Sequence, residues 1–240
     1  MTISEAQRRQ YDTEGYVVLD NVFGEVDLDR VIAEVDQFTN ADNEELRRSG
    51  PRWNSRADEI NFTHTLAGKS APLAAFTRHP ALLRIATGLL APDLRLWIDL
   101  AVTKYPTTSE FPWHQDSGYL AVEPAWITCW VALTDATEDN GCLCVLPGSH
   151  SGGVVPHVQS PVGMVGYTGP DSGIALPMAK GSVAAISSLL LHRTGPNTTS
   201  EPRKAYIVEY CKAESFILHT GQRLDDLPLV TRNGEPMTAP

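Results

Sequence analysis

The second half of the chain repeats short apolar segments separated by turn-forming residues, and this pattern constrains the fold more than any other feature. Residues 94–103 alternate apolar with more polar side chains, which is the two-residue period of a β-strand. Further strand-like segments, separated by Pro and Gly clusters, cover residues 126–133, 142–146, 182–186 and 205–210. Many short strands with such turns predict an all-β barrel or sandwich, with helices packed outside one β core.

The first third of the chain is predicted to be mainly helical. Ser4 and Gln7 have the spacing of a capping box, so a helix is expected to begin there and to end near Gly15. Residues 16–19 read as a strand, and the apolar residues of 28–38 recur at helical spacing. This part therefore predicts helices that flank the β core.

The next segments complete the expected organisation. Residues 39–56 are polar and charged and predict a loop, whereas residues 71–90 predict two helices separated at His79-Pro80. No internal repeat or low-complexity segment interrupts the chain. We therefore expect a single domain with three parts: 1–93, mainly helical; 94–211, the β core; and 212–240, a C-terminal tail.

Composition excludes several classes of partner. The chain carries 19 Lys and Arg against 29 Asp and Glu, a net charge of −10, which argues against nucleic acid or an anionic membrane surface as the main partner. No apolar run approaches the length of a membrane span, and the first residues lack the apolar segment of a secretory signal. Cys142 and Cys144 are too close together for a zinc knuckle, so the four cysteines are expected to be reduced in a cytoplasmic protein.

The segment around His114 has the pattern of a metal site. On an extended backbone His114 and Asp116 point to the same face and can bind one metal ion. His192 is the best third ligand, because it lies in an apolar strand where an unpaired imidazole would be costly to bury. Two histidines and one carboxylate leave coordination positions open and suit non-haem Fe(II).

Arg203 follows His192 across a turn and precedes a predicted strand. A strand, a turn and a returning strand would place Arg203 beside His192, deep in the barrel, where its guanidinium can bind a carboxylate through two hydrogen bonds. Thr194 shares the strand face of His192. Each signal is weak alone, but their order and spacing together fit an enzyme that uses 2-oxoglutarate.

Four segments carry a resemblance to a known family. They are GYVVLDNVF at 15–23, WHQD at 113–116, ITCWVALTDATEDNGCLCVLPGSH at 127–150 and HRTGPNTTSEPRKAY at 192–206. In these segments the chain resembles the phytanoyl-CoA dioxygenase-like Fe(II)/2-oxoglutarate oxygenases. The resemblance covers most of the chain and is densest between residues 94 and 211.

The resemblance implies a mainly β fold, a double-stranded β-helix (a jelly roll, cupin-like) with flanking N-terminal helices. It implies Fe(II) and 2-oxoglutarate as cofactors, O2 as cosubstrate, and ascorbate as an aid in vitro. The residues that match the family's iron ligands are His114, Asp116 and His192. The residues that match its 2-oxoglutarate site are Arg203, Thr194, Trp130 and Leu100.

Asp116 also bears on the type of reaction. In related halogenases a small residue replaces the carboxylate ligand so that chloride can bind iron, and here Asp116 is present. The resemblance therefore favours hydroxylation with release of succinate and CO2. Desaturation, cyclisation and epimerisation remain open, as does a jelly-roll protein that binds without turnover.

The substrate is expected to be a small metabolite or natural product, in secondary metabolism. An acyl-CoA is the alternative, although the net charge of −10 offers little attraction for its phosphates. The oligomeric state is left open. Candidate substrate-pocket residues are Gln115, Tyr119, Lys104, His64 and Trp113; a solvent-facing Lys104 and a purely structural His64 are also open.

Overall fold

The computed structural model describes residues 2–238. The helices are α1 (Glu5–Glu14), α2 (Glu25–Ser49), α3 (Ala71–Phe76) and α4 (Pro80–Leu89). The first ten strands are β1 (Tyr16–Leu19), β2 (Ile60–His64), β3 (Leu94–Lys104), β4 (Phe111–His114), β5 (Val122–Glu123), β6 (Ile127–Ala132), β7 (Leu143–Val145), β8 (Val158–Ser160), β9 (Gly163–Val165) and β10 (Ile174–Leu176). The remaining strands are β11 (Val183–Ser187), β12 (His192–Thr194), β13 (Arg203–Lys212), β14 (Phe216–Ile217), β15 (Leu229–Arg232) and β16 (Glu235–Pro236).

Two antiparallel sheets form the β core. The larger sheet has the order β1-β11-β6-β13-β3-β15-β16, with β2 also paired to β3, and the smaller sheet has the order β10-β7-β12-β4. Trp130 and Ile186 of the larger sheet pack against Leu143 and Val145 of the smaller one. The other face of the larger sheet packs against the helices. The predicted mainly β, cupin-like jelly roll with N-terminal helices is thus confirmed.

The N-terminal capping box predicted from Ser4 is present. The Ser4 side chain accepts from the Gln7 N–H, the Gln7 side chain accepts from the Ser4 N–H, and Gly15 ends α1 with a φ of 82°. The predicted separation of α3 and α4 is also found, with Pro80 in the first turn of α4.

The loop expected over residues 39–56 is wrong for its first eleven residues, because α2 continues to Ser49. The buried stripe of α2 does not stop at Val35 but continues through Thr39, Asn43 and Leu46 at helical spacing. Asn43 is held by two hydrogen bonds with Asp58. Two buried polar residues, Thr39 and the hydrogen-bonded Asn43, thus stand where the predicted periodicity depended on apolar residues.

A β-bulge in β3 changes which of its residues point toward the helices and which point into the space between the two sheets. Glu209 of β13 pairs with Ile98, whereas the next residue, Tyr210, pairs with Leu96, so Trp97 is the extra residue. As a result, Leu96 packs with the helices while Leu100 faces the space between the sheets. The two-residue period predicted from sequence is correct, but one bulge divides it between two faces.

The C-terminal tail joins the same β core. Strand β15 pairs with the start of β3, and β14 pairs with β5. Strands from all three expected parts of the chain therefore share the core. The expectation that residues 1–240 form one domain stays a prediction.

Within residues 2–238, no helix is both long and apolar enough to cross a membrane. All four cysteines are buried and free of disulfide bonds.

Candidate active site

Pairing between β4 and β12 brings two histidines together. His114 is the direct cross-strand partner of His192, and their ring centroids lie 4.2 Å apart. Asp116 enters from the 3-10 turn that follows β4. Its Oδ1 lies 3.8 Å from His114 Nε2 and 3.6 Å from His192 Nε2. These three residues offer ligand atoms that lie within 4.8 Å of one another, as one metal ion requires.

Backbone carbonyls set the orientation of both imidazoles. His114 Nδ1 donates to the Pro112 carbonyl over 2.8 Å, and His192 Nδ1 donates to the Leu190 carbonyl over 3.0 Å. A carbonyl only accepts, so Nδ1 carries the proton and the Nε2 lone pair is free for a metal. Burial and the neighbouring His192 hold the pKa of His114 well below its ordinary value, which favours the neutral ligand form.

A hydroxyl connects Asp116 to a second carboxylate. Thr128 Oγ1 lies 2.8 Å from Asp116 Oδ2 and 3.3 Å from Glu209 Oε1. Burial, and then the charge of Asp116, raise the pKa of Glu209 well above its ordinary value. Since Thr128 satisfies Oδ2, Oδ1 of Asp116 is left for the metal.

One cavity of about 670 Å³ contains the triad and reaches both Arg203 and Glu209. His114, Asp116 and His192 line it, together with Thr194 and Arg203. The size falls within the range of small-molecule sites.

The guanidinium of Arg203 is buried in this cavity without a partner. Arg203 is 0% exposed, and none of its three side-chain nitrogens makes a hydrogen bond within residues 2–238. It lies 5.3 Å from the ring centroid of Trp130, and burial lowers its pKa to about 10, so it remains charged at neutral pH. A buried guanidinium without an acceptor is costly, and a carboxylate is the acceptor whose geometry it matches.

Thr194 is oriented toward the same end by Lys104. The Lys104 ammonium donates to Thr194 Oγ1 over 3.1 Å and also to the Gly195 carbonyl. With its oxygen lone pair engaged in this way, the Thr194 hydroxyl proton is free for another acceptor. Lys104 is the cross-strand partner of Arg203, and burial followed by the Arg203 charge lowers its pKa to about 7.

The sequence comparison decides the family. The family model for phytanoyl-CoA dioxygenase (PhyH) matches residues 11–205. This chain belongs to the phytanoyl-CoA dioxygenase family. The resemblance expected from the sequence is thereby confirmed.

Curated members of the phytanoyl-CoA dioxygenase family match along much of the chain. The human peroxisomal phytanoyl-CoA dioxygenase is 26% identical over 230 residues, covering 87% of this chain and 68% of the human protein. The phytanoyl-CoA dioxygenase domain-containing protein 1 of Bos taurus is 32% identical over 127 residues, covering 48% of this chain and 44% of that protein.

Solved structures show the same fold. The non-heme monooxygenase ThoJ superposes with a TM-score of 0.77 at 23% identity, covering 94% of this chain and 84% of ThoJ. The carbocyclase SnoK from nogalamycin biosynthesis, described as alpha ketoglutarate dependent, gives a TM-score of 0.74 at 24% identity over 95% of this chain and 96% of SnoK. The epimerase SnoN from the same biosynthesis gives 0.72 at 21% identity, covering 95% of this chain and 98% of SnoN.

The residues of this phytanoyl-CoA dioxygenase family member fit the expected cofactors. The donor set of two imidazoles and one carboxylate suits Fe(II), and the unpartnered guanidinium of Arg203 suits the distal carboxylate of 2-oxoglutarate. Both lie on one cavity.

The remaining predicted site residues divide into two groups. Those that line the cavity are Trp130, Leu100, Tyr119 and His64. Those that are not among its lining residues are Gln115, Lys104 and Trp113. The Gln115 side chain is engaged by Gly153, Val155 and Leu189. Trp113 lies beside Arg193 and Tyr167.

Sequence reasoning did not find Glu209, Trp97 and Trp126, which also line the cavity. One signal was available for Glu209: it shares strand parity with Arg203, so it is an acidic residue on the inward face of a core strand. Trp97 gave no such signal, because the bulge that turns it inward has no mark in the sequence.

Proposed function

We propose that this chain is a non-haem Fe(II)- and 2-oxoglutarate-dependent oxygenase that acts on a small molecule. His114, Asp116 and His192 hold the iron. The observation that carries the proposal is the unpartnered, buried guanidinium of Arg203 on the same cavity as these three residues. A metal site alone would not need a buried cation, whereas a carboxylate-bearing cosubstrate does.

The residues near Arg203 and the metal ligands have distinct proposed roles. Arg203 and Thr194 bind the distal carboxylate of 2-oxoglutarate, while Trp130 and Leu100 line its position. Lys104 acts through Thr194 as a positioning residue. The carbonyls of Pro112 and Leu190 and the hydroxyl of Thr128 keep the metal ligands oriented. Bound Fe(II) and 2-oxoglutarate supply oxidation by O2, with succinate and CO2 as coproducts.

Hydroxylation is the proposed outcome. Asp116 occupies the carboxylate position, and its Oδ1 faces both imidazoles, so a halide has no vacated ligand position. Desaturation, cyclisation or epimerisation is the second candidate, favoured by the likeness in fold to SnoK and SnoN. Mass spectrometry of the product separates these outcomes, because hydroxylation adds one oxygen atom, desaturation or ring closure removes two hydrogens, and epimerisation leaves the mass unchanged.

The proposed substrate is a modest-sized metabolite or natural product of secondary metabolism. The cavity lining is largely apolar and aromatic, and its exposed cations at the mouth are limited to Arg52 and Lys69 among the lining residues of the described chain. Arg52 is already paired with Asp42. An acyl-CoA, the substrate class in the name of the human relative, would require more positive charge there. A cytoplasmic location stays a prediction from the sequence.

The test is substrate-stimulated release of succinate. Purified protein receives Fe(II), ascorbate and 2-oxoglutarate, and a metabolite library is screened for compounds that raise succinate formation. We expect stimulation by a small subset of compounds and its loss in His114→Ala. If no compound stimulates succinate release and His114→Ala retains the metal content of the wild type, the protein is a non-catalytic binding protein and the proposal fails.

A further inference from the structure

Glu209 occupies the cavity on the side of the triad away from Arg203. Arg203 and Glu209 lie on the same inward-facing row of β13, six residues apart, which is about 20 Å along a strand. The 2-oxoglutarate assigned to Arg203 leaves Glu209 unused. Glu209 is 6% exposed, and it lines the cavity.

The hydrogen-bond donors around Glu209 do not satisfy its carboxylate. Its one hydrogen-bond neighbour in the described chain is Thr128 Oγ1 at 3.3 Å, and the single proton of that hydroxyl is directed to Asp116 at 2.8 Å. The indole N–H of Trp126 lies near enough to favour the charged form of Glu209, but it does not reach hydrogen-bond geometry. An indole is also a neutral donor and would leave the carboxylate charge uncompensated.

The carboxylate also has no cation. Among residues 2–238, no Lys, Arg or His forms an ion pair with Glu209, and its cross-strand partners Ile98 and Thr128 are uncharged. Of the other charged groups that line the cavity, Asp116 belongs to the metal site and Arg203 to the cosubstrate. Arg52 and Lys69 are exposed at the mouth, where the remaining charged lining residue, Asp42, pairs with Arg52. A buried carboxylate without a partner is costly, and burial raises the pKa of Glu209, which favours its protonated form in the free protein. A ligand that brings a positive charge favours the ionised form and is therefore favoured there.

Aromatic rings complete this region. Trp97, turned inward by the β3 bulge, packs edge-to-face with Trp126 at a centroid distance of 6.1 Å, and both rings line the cavity. Indole faces attract cations, and an aromatic surface beside a carboxylate is a recognised arrangement for an amine.

We propose that Glu209, Trp97 and Trp126 form a subsite for an organic ammonium group, so that the prime substrate is an amine with an apolar or aromatic body. This inference rests on the proposed function, because it uses the assignment of Arg203 to 2-oxoglutarate. Since Thr128 touches both Asp116 and Glu209, the ammonium group is held close to the metal, and the reacting carbon is only a few bonds from the nitrogen.

The experiment measures binding with three probes of similar size and different charge. These are 2-phenylethylamine, 2-phenylethanol and 3-phenylpropanoate, titrated calorimetrically into the full chain with Fe(II) and 2-oxoglutarate under anaerobic conditions. We expect the amine to bind about tenfold more tightly than the alcohol, and the carboxylate to bind most weakly. If the wild type binds amine and alcohol equally, or binds the alcohol more tightly, this result overturns the inference without any variant.

Variants then assign the preference to Glu209. Glu209→Gln keeps the shape and removes the charge, so it should bind amine and alcohol equally, while Glu209→Asp should keep part of the preference. Glu235→Gln, which removes an exposed carboxylate from β16, should behave as wild type. A full amine preference in Glu209→Gln would contradict the subsite.

The same samples report the proposed function separately. Binding of 2-oxoglutarate to protein-bound Fe(II) gives a visible charge-transfer absorption. If that absorption forms and no amine preference exists, only the ammonium subsite is wrong. If the amine preference exists without that absorption, the cosubstrate assignment is wrong and the subsite is supported.

Discussion

The two ends of the cavity are anchored by opposite charges on one strand, but they are built differently. At the Arg203 end, regular pairing places Lys104 opposite Arg203 on β3, and Thr194 reaches in from β12 of the other sheet. At the Glu209 end, β3 bulges at Trp97 and the wall includes Trp126, which precedes β6. At the Arg203 end, β13 pairs regularly with β3 and β12 pairs regularly with β7, although β12 shifts register against β4 between His192 and Thr194. At the Glu209 end, the pairing of β13 with β3 is itself interrupted by the bulge.

This difference follows the chemistry that each end would serve. A cosubstrate with one distal carboxylate needs one fixed cation, and the regular pairing of β13 with β3 holds Arg203 in place. A bulge or a segment outside the ladders can change without disturbing the metal site. We infer that the Glu209 end, rather than the Arg203 end, determines the substrate.

The largest effect is expected from removing a metal ligand, because the proposed cosubstrate and substrate subsites both lie beside the metal. His192→Ala takes away one of three ligands, so iron content after anaerobic reconstitution should fall to background and succinate formation should be lost. His219→Ala removes an exposed histidine outside the site and serves as the control. Normal iron content in His192→Ala would exclude His192 as a ligand.

The next largest effect is expected from a variant that changes the Arg203 end of the cavity and leaves the Glu209 end intact. Arg203→Met removes the cation that we assign to 2-oxoglutarate, and loss of such a buried partner typically costs about 2–5 kcal/mol. The Michaelis constant for 2-oxoglutarate should rise about 30-fold or more, since about 1.4 kcal/mol corresponds to a factor of ten. Iron content and amine binding at the Glu209 end should stay unchanged.

Stability gives Arg203→Met a second readout. Because Arg203 is buried and unpartnered in the free protein, replacing it should leave the melting temperature equal or higher. Arg232→Met, on the exposed side of β15, is the control and should change neither property. An unchanged Michaelis constant in Arg203→Met would remove Arg203 from the cosubstrate site.

The Arg203 end was also the more predictable from sequence, for a physical reason. His114, Asp116, His192 and Arg203 lie on or beside short strands whose parity and turns can be read directly, and β4–β12 pairing then brings the two histidines together. The two-residue alternation of side chains along a strand depends only on neighbouring residues, so it can be recognised in the sequence.

What sequence reasoning missed depends on non-local contacts. The second half of α2 is polar, and its helical burial follows from partners such as Asp58, which holds Asn43. Likewise, the inward direction of Trp97 depends on the register between β3 and β13. Polar residues that are buried against distant partners add nothing to the hydrophobic periodicity of the sequence. A bulge reverses which strand residues point inward, and no distinctive residue type marks it.

A smaller effect tests the hydroxyl that connects the metal to the Glu209 end. Thr128→Val keeps the shape but removes the donor to Asp116, and loss of such a supporting bond typically lowers metal affinity about 10–100-fold. Competition with a chelator measures this change, and Thr128→Ser should restore much of the affinity. Thr103→Val is a matched control on β3, since the Thr103 hydroxyl is buried without a partner and its removal should not weaken metal binding. Wild-type metal affinity in Thr128→Val would show that Asp116 does not depend on this hydroxyl.

The smallest effect concerns pH at the Arg203 end. Burial and the Arg203 charge lower the pKa of Lys104 to about 7 in the free protein, so Lys104 loses its proton as the pH rises through neutrality. A carboxylate bound at Arg203 favours the charged ammonium and raises the pKa of Lys104, so binding of 2-oxoglutarate takes up a proton. Affinity for 2-oxoglutarate should therefore weaken a few-fold as the pH rises above about 7.

The pH dependence should disappear in Lys104→Met, which has no proton to exchange. Lys180→Met, which removes a lysine paired with Asp29 near the surface, should keep the dependence of the wild type. Calorimetric titration of 2-oxoglutarate in two buffers of different ionisation enthalpy counts the protons taken up, and it separates a Lys104 effect from a change in metal binding. If Lys104→Met keeps the wild-type pH dependence of 2-oxoglutarate affinity, the Lys104 ammonium does not respond to the cosubstrate. The Arg203 end of the cavity then depends on Arg203 alone for its charge.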